Sequence, residues 1–116
     1  MQSSTTQEPL LKKIGSANLS ELMSIWAGRV SEQWASSPEL YRRLTRKLLG
    51  HGEPLLAYDV VAEGLKLWSA DVVLRQLQAL ALSRSGATDR ANAILHELRN
   101  EGASDEETLG MFETVQ

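Results

Sequence analysis

The chain has no cysteine, which excludes disulfides, thiolate metal sites and cysteine nucleophiles. Aromatic residues make up only 5% of the 116 positions and proline occurs three times. β-Branched residues are thin beside Leu and Ala, a balance that favours helix over sheet. No apolar run approaches the roughly 20 residues of a membrane span. The polar start from Met1 to Glu8 lacks the basic and apolar regions of a signal peptide. A basic excess is missing as well: 12 Lys and Arg stand against 15 Asp and Glu, for a net charge of −3. Phosphate-dominated binding to nucleic acid is therefore not expected. These absences leave one small helical domain, expected to be cytoplasmic, with neither a membrane nor a nucleic-acid partner.

Catalysis finds little to work with. His51 stands beside Gly52 at an expected helix end, where a cation suits the helix C-terminus. His96 is followed by Glu97 and has no second histidine at metal-ligand spacing. No serine lies in a nucleophile elbow, and Gly50-His51-Gly52 lacks the Lys and the spacing of a phosphate loop. The expectation is a protein without enzymatic activity, metal or cofactor.

What is present is a repeat. An offset of 34 residues places Leu40 on Leu74, Leu48 on Leu82, Gly52 on Gly86, Ala57 on Ala91 and Glu63 on Glu97. The units run over 38–71 and 72–105, after a loose start at 1–7 and an N-terminal capping helix at 18–35. Inside that helix Leu19, Leu22, Met23, Trp26, Val30 and Trp34 recur at three- and four-residue steps. It suits either a cap or the second helix of a degenerate earlier repeat. Asn18 and Glu21 form a capping box at its start, and Ser37-Pro38-Glu39 opens the next helix. Asp71 is the expected cap of a helix rich in Leu, Ala and Gln. Gly64, inside a helix, reads as room for a close helix crossing. A last helix, 105–116, starts at the acidic cap Ser104-Asp105-Glu106-Glu107.

The 34-residue period with Tyr41, Leu44 and Leu48 in one helix and Ala57 and Val61 in the next resembles the tetratricopeptide repeat (TPR) family. The runs around Gly52-Glu53-Pro54, Leu80 to Thr88 and Asp105 to Gly110 are similar to the N-terminal TPR region of larger bacterial proteins. In those, a domain likened to the TRAF-binding region of a signalling kinase follows, so the resemblance implies a stand-alone or shortened form. It implies an all-α fold, a short right-handed α-solenoid of antiparallel helical hairpins with six or seven helices. It also implies a scaffold or adaptor whose first helices line a groove for a partner's peptide or helix.

On that reading the groove is lined by Arg42, Arg46, Leu49, Gln76, Leu80 and Arg84. Arg42 and Arg46 lie one turn apart, as do Arg43 and Lys47, so two basic rows flank the apolar stripe. A solvated, solubilising helix face accounts for those rows equally well. The family's carboxylate clamp is not expected, because Leu77, Glu107 and Met111 fall where Asn, Lys and Arg are usual. The alternative function is a self-assembling helical protein, a homodimer formed through Leu109, Met111 and Phe112 of the last helix.

Overall fold

The computed structural model describes residues 3–102, with side chains from residue 7 onward. Among these residues the chain is all α-helix: α1 (Ser3–Ser16), α2 (Leu19–Ala27), α3 (Ser31–Trp34), α4 (Glu39–Gly50), α5 (Pro54–Leu67), α6 (Val72–Arg84) and α7 (Thr88–Asn100). The sequence period reappears in the helix ends. Helices α1, α4 and α6 stop at residues 16, 50 and 84, and α5 and α7 start at 54 and 88. Helix α2 starts at 19, one residue short of the same register.

The two hairpin turns repeat down to their hydrogen bonds. Gly52 and Gly86 take φ of +75° and +94°, a left-handed conformation that costs a Cβ-bearing residue. After α4, Gly52 N–H donates to Leu49 C=O at 3.0 Å and Glu53 N–H to Leu48 C=O at 2.9 Å. After α6 the matching bonds run from Gly86 to Ser83 at 3.1 Å and from Ala87 to Leu82 at 2.8 Å. Each turn thus satisfies orphan carbonyls at the end of the first helix and sends the chain back antiparallel.

Two helix starts, those of α2 and α6, follow the expected caps, while Pro38 rather than Ser37 directly precedes α4. Asn18 and Glu21 make both bonds of the capping box, at 2.9 and 2.8 Å. The Asp71 carboxylate accepts from Leu74 N–H at 2.8 Å. Ser37 Oγ accepts from Glu39 N–H at 3.3 Å, with Pro38 one position before the helix.

Two expectations are corrected. The stretch 19–35 is two helices rather than one: Gly28 ends α2, Val30 is extended, and α3 is a single turn. The break turns Trp34 inward until it is 1% exposed, while Val30 of the same stripe is left 54% exposed. The start of the chain is helical from Ser3 rather than loose through residue 7. Gln7 is buried and anchors α1: its Nε2 donates to Gln33 C=O at 2.9 Å and Ser36 Oγ at 2.6 Å, and its Oε1 accepts from Ser37 Oγ at 2.8 Å.

Helix α4 packs on α5, α5 on α6 and α6 on α7, with α4 also touching α1 and α6. The main core joins Ile14, Leu22, Trp34, Leu40, Leu44, Leu48, Val60, Val61, Leu74 and Leu77. A smaller one lies between α6 and α7, on Ala79, Leu82, Ala91, Leu95 and Leu98. Helix α6 serves both, as its near lack of charge leads one to expect. Gly64 is the close crossing: a Cβ there would meet the ring and Cβ of Tyr41 on α4. Among the described residues no helix is long and apolar enough to cross a membrane.

Candidate interaction surface

The first helices α1, α4 and α6 run parallel, each tied to the next at both ends. At their starts, Gln7 bonds Ser37 and Arg42 bonds Asp71, the caps 37 and 71 being one period apart. At their ends, Lys47 Nζ donates to Gly15 C=O at 3.1 Å and Arg84 Nη1 to Leu49 C=O at 3.3 Å, acceptors again one period apart. The last carbonyls of a helix have no intrahelical partner and carry partial negative charge. A cation from the neighbouring first helix answers both needs.

Charge is sorted between the helix sets. The first helices hold eight basic residues (Lys12, Lys13, Arg42, Arg43, Arg46, Lys47, Arg75, Arg84) and two acidic ones, Glu8 and Glu39. Both acids lie in N-terminal halves, so the C-terminal halves present bases alone. Lys12, Lys13, Arg46 and Arg84 are exposed. Helices α2, α3, α5 and α7 reverse the balance, with six acids (Glu21, Glu32, Asp59, Glu63, Asp89, Glu97) and three bases (Lys66, Arg90, Arg99). The mild net charge of the chain hides this division.

The residues expected to line the groove separate in the structure. Arg46 and Arg84 are exposed, and Leu80 is half-buried against both cores. Leu49 and Gln76 are buried, at 5% and 1% exposure, and so are core residues rather than groove residues. Arg42 is committed internally: it pairs with Asp71 and reaches Glu39 at 3.3 Å. Asp71 holds its guanidinium pKa above the ordinary value. Arg42 is thus engaged within the protein, at the cap of α6. Leu109, Met111 and Phe112 lie outside the described residues. His51 and His96 are both exposed, and neither lines a cleft described below. Among the described residues no group of three His, Asp or Glu side chains is placed to hold a metal ion.

Sequence reasoning missed a second feature. Trp26, Trp34, Tyr41 and Trp68 form one edge-to-face cluster, with ring centroids 5.1–6.2 Å apart along its contacts. Arg29, in the turn between α2 and α3, stacks on Trp26 at 3.6 Å. The same guanidinium grips both oxygens of Glu63 on α5, at 2.9 and 3.0 Å, and donates to Trp26 C=O at 2.7 Å. Tyr41 Oη donates to Glu63 at 3.2 Å. The bonds from Arg29 hold the Glu63 carboxyl below its ordinary range. Burial, then the Glu63 charge, pushes the Tyr41 hydroxyl up to about 12. One period on from Tyr41 and Glu63 stand Arg75 and Glu97, 3.4 Å apart, and Arg75 holds Glu101 more closely, at 2.6 Å. Each ring reads from the sequence as core, and only the break at Gly28 hints that Arg29 leaves the helix to meet Glu63.

Trp34 and Arg29 border two clefts. One, of about 240 Å³, is walled by Trp34, Ala35, Tyr41 and Leu67, with Arg29, Ser31, Glu63 and Lys66 as its polar groups. The other, of about 410 Å³, parts α1 from α2 and includes Leu10, Lys13, Ser24, Ile25 and Val30. Comparison with protein-family models, curated proteins and solved structures finds no match to this chain.

Proposed function

We propose that this chain is a non-catalytic protein-interaction module, a TPR-like adaptor or scaffold whose first-helix face grips an acidic peptide or helix of a partner. The observation that carries the reading is the sorting of charge, with bases alone in the C-terminal halves of α1, α4 and α6. Lys47 and Arg84 are partly spent on helix ends. Lys12 and Arg46 stand exposed beside them and supply the surface for an incoming carboxylate. Such complementarity raises the association rate and sets orientation more than it adds affinity, and it weakens with salt. The cytoplasmic setting and the bacterial relatives implied by the sequence resemblance belong to this same proposal.

The test is titration with a helical peptide rich in Glu and Leu, beside the same peptide with Gln for Glu. Binding should favour the Glu peptide, fall with salt, and drop about tenfold in the double variant Lys12→Glu/Arg46→Glu, roughly two lost charge pairs. Equal binding of both peptides, or a variant that binds as the parent does, defeats the reading.

A further inference from the structure

We propose that the cleft bounded by α3, α4 and α5 is a binding site for a small apolar carboxylate. Its apolar body would lodge against Trp34, Tyr41 and Leu67, and its charge would meet Lys66. The site is separate from the first-helix face and stands whether or not that face binds an acidic partner.

Three observations converge on it. The first is shape: about 240 Å³ with predominantly apolar walls suits a ligand of roughly ten heavy atoms, below the size of common drug pockets. Leu67 at the rim is 50% exposed, apolar surface that a ligand body would cover. The second is an unmatched donor. Trp34 is 1% exposed and lines the cleft, yet its Nε1 makes no hydrogen bond within the protein. Buried donors are ordinarily paired, and a ligand that shifts the indole would give this one a carboxylate oxygen.

The third is charge. Glu63 is the acid of the cleft, and both its oxygens are taken, one by Arg29 and the other by Arg29 and Tyr41. That closed pair leaves little repulsion toward an anion. Lys66 brings an exposed ammonium to the same space, and Ser31 a hydroxyl. Nothing in the hairpin architecture demands the arrangement: one period on, Tyr41 and Glu63 are matched by Arg75 and Glu97, and Arg29 by Glu63 itself, so no equivalent of the Arg29 clamp recurs there.

All three tryptophans belong to the cluster at this cleft, so intrinsic fluorescence reads it directly. Phenylacetate, titrated into the whole protein, should change the emission saturably, and its neutral isostere phenylacetamide should bind about tenfold more weakly. Lys66→Gln should remove most of that preference and leave phenylacetamide unchanged. Lys13→Gln, in the larger cleft on the other side of Trp34, should alter neither. A tripeptide ending in Phe with a free C-terminus separates two sources of the same chemistry: tighter binding than phenylacetate assigns the cleft to chain ends, weaker binding to free acids. No saturable change up to about 20 mM phenylacetate, roughly 2 kcal/mol of binding, overturns the proposal. So do equal affinities for acid and amide, indifference to Lys66→Gln, or a loss that follows Lys13→Gln.

Discussion

The ring of Tyr41 occupies the space that a side chain at position 64 would need: a Cβ built on Gly64 would stand 2.9 Å from Tyr41 Cγ and 3.0 Å from Tyr41 Cβ. Those atoms lie close to the α4 backbone and cannot swing away as a side-chain tip would. Gly64→Ala should therefore destabilise the protein by about 1–2 kcal/mol, overpacking outweighing the gain of roughly 1 kcal/mol in helix propensity. Gly15→Ala is the control. It also lies in a helix, with nothing within 4 Å of its Cβ, and should stabilise by about 0.5–1 kcal/mol. Urea unfolding of the two variants checks the opposite signs.

Asp71 has two duties, capping α6 and holding Arg42. Asp71→Ala should cost about 2 kcal/mol, roughly half of it the cap. Asp71→Asn keeps an oxygen for Leu74 N–H and should recover about half of that loss. Arg42→Glu should lower stability by a similar amount, because it sets a third carboxylate beside Asp71 and Glu39. Lys12→Gln, at an exposed position of α1, should stay within about 0.5 kcal/mol of the parent. Thermal unfolding of the four variants gives the order.

The Arg29–Glu63–Tyr41 group makes stability depend on pH at both extremes. Tyr41 ionises at about 12 in the folded chain, against 10.0 for an ordinary tyrosine. Its contribution is complete below pH 10 and is lost as pH rises from there through 12, because the unfolded chain ionises first. Glu63 is shifted the other way, so its contribution is present above the ordinary carboxylate range and is lost as pH falls through its lowered value. Tyr41→Phe should flatten the alkaline limb and remove the late phase of tyrosinate absorbance. Glu63→Gln should flatten part of the acid limb. Denaturation midpoints across pH settle both.

Gly52 and Gly86 close equivalent turns with positive φ. Alanine at either should cost about 1–2 kcal/mol through strain, with no steric contribution, since open space surrounds each position. The two turns are linked through Leu49 C=O, which accepts both from Gly52 N–H and from Arg84 at the end of α6, so the double variant should depart from the sum of the single losses by about 0.5 kcal/mol or more. Denaturant midpoints of the singles and the double test this directly.

The parts of the fold legible in the sequence are those that local chemistry writes. The period, the capping box at Asn18, the cap at Asp71 and the glycine turns each depend on a few neighbouring residues. Gly64 was legible because a glycine in a helix needs a reason. The interrupted helix at Gly28 was not: the stripe through Trp26, Val30 and Trp34 is as regular as in an unbroken helix. The break is made by where Arg29 and Trp34 find partners, on α5 and α4. The same holds for the candidate surface. Arg42 and Arg46 look alike one turn apart, and only the position of Asp71, 29 residues later, ties one of them to the cap of α6. Gln76 is polar in the sequence and buried in the fold for the same tertiary reason.

The ties at both ends of the first helices bear on how such a chain can change length. Gly15 and Leu49 each offer a helix-end carbonyl to a cation of the next first helix, while the ties at the helix starts differ in kind: Ser37 donates to Gln7 and Asp71 accepts from Arg42. Adding or removing a few residues within a hairpin breaks a tie at one end while keeping the other. Adding or removing a whole period of 34 keeps those carbonyls in register, provided the matched pair at the helix starts travels with it. The hairpin, rather than the helix, is therefore the smallest piece that evolution or a designer can cut, copy or graft here without leaving an open seam.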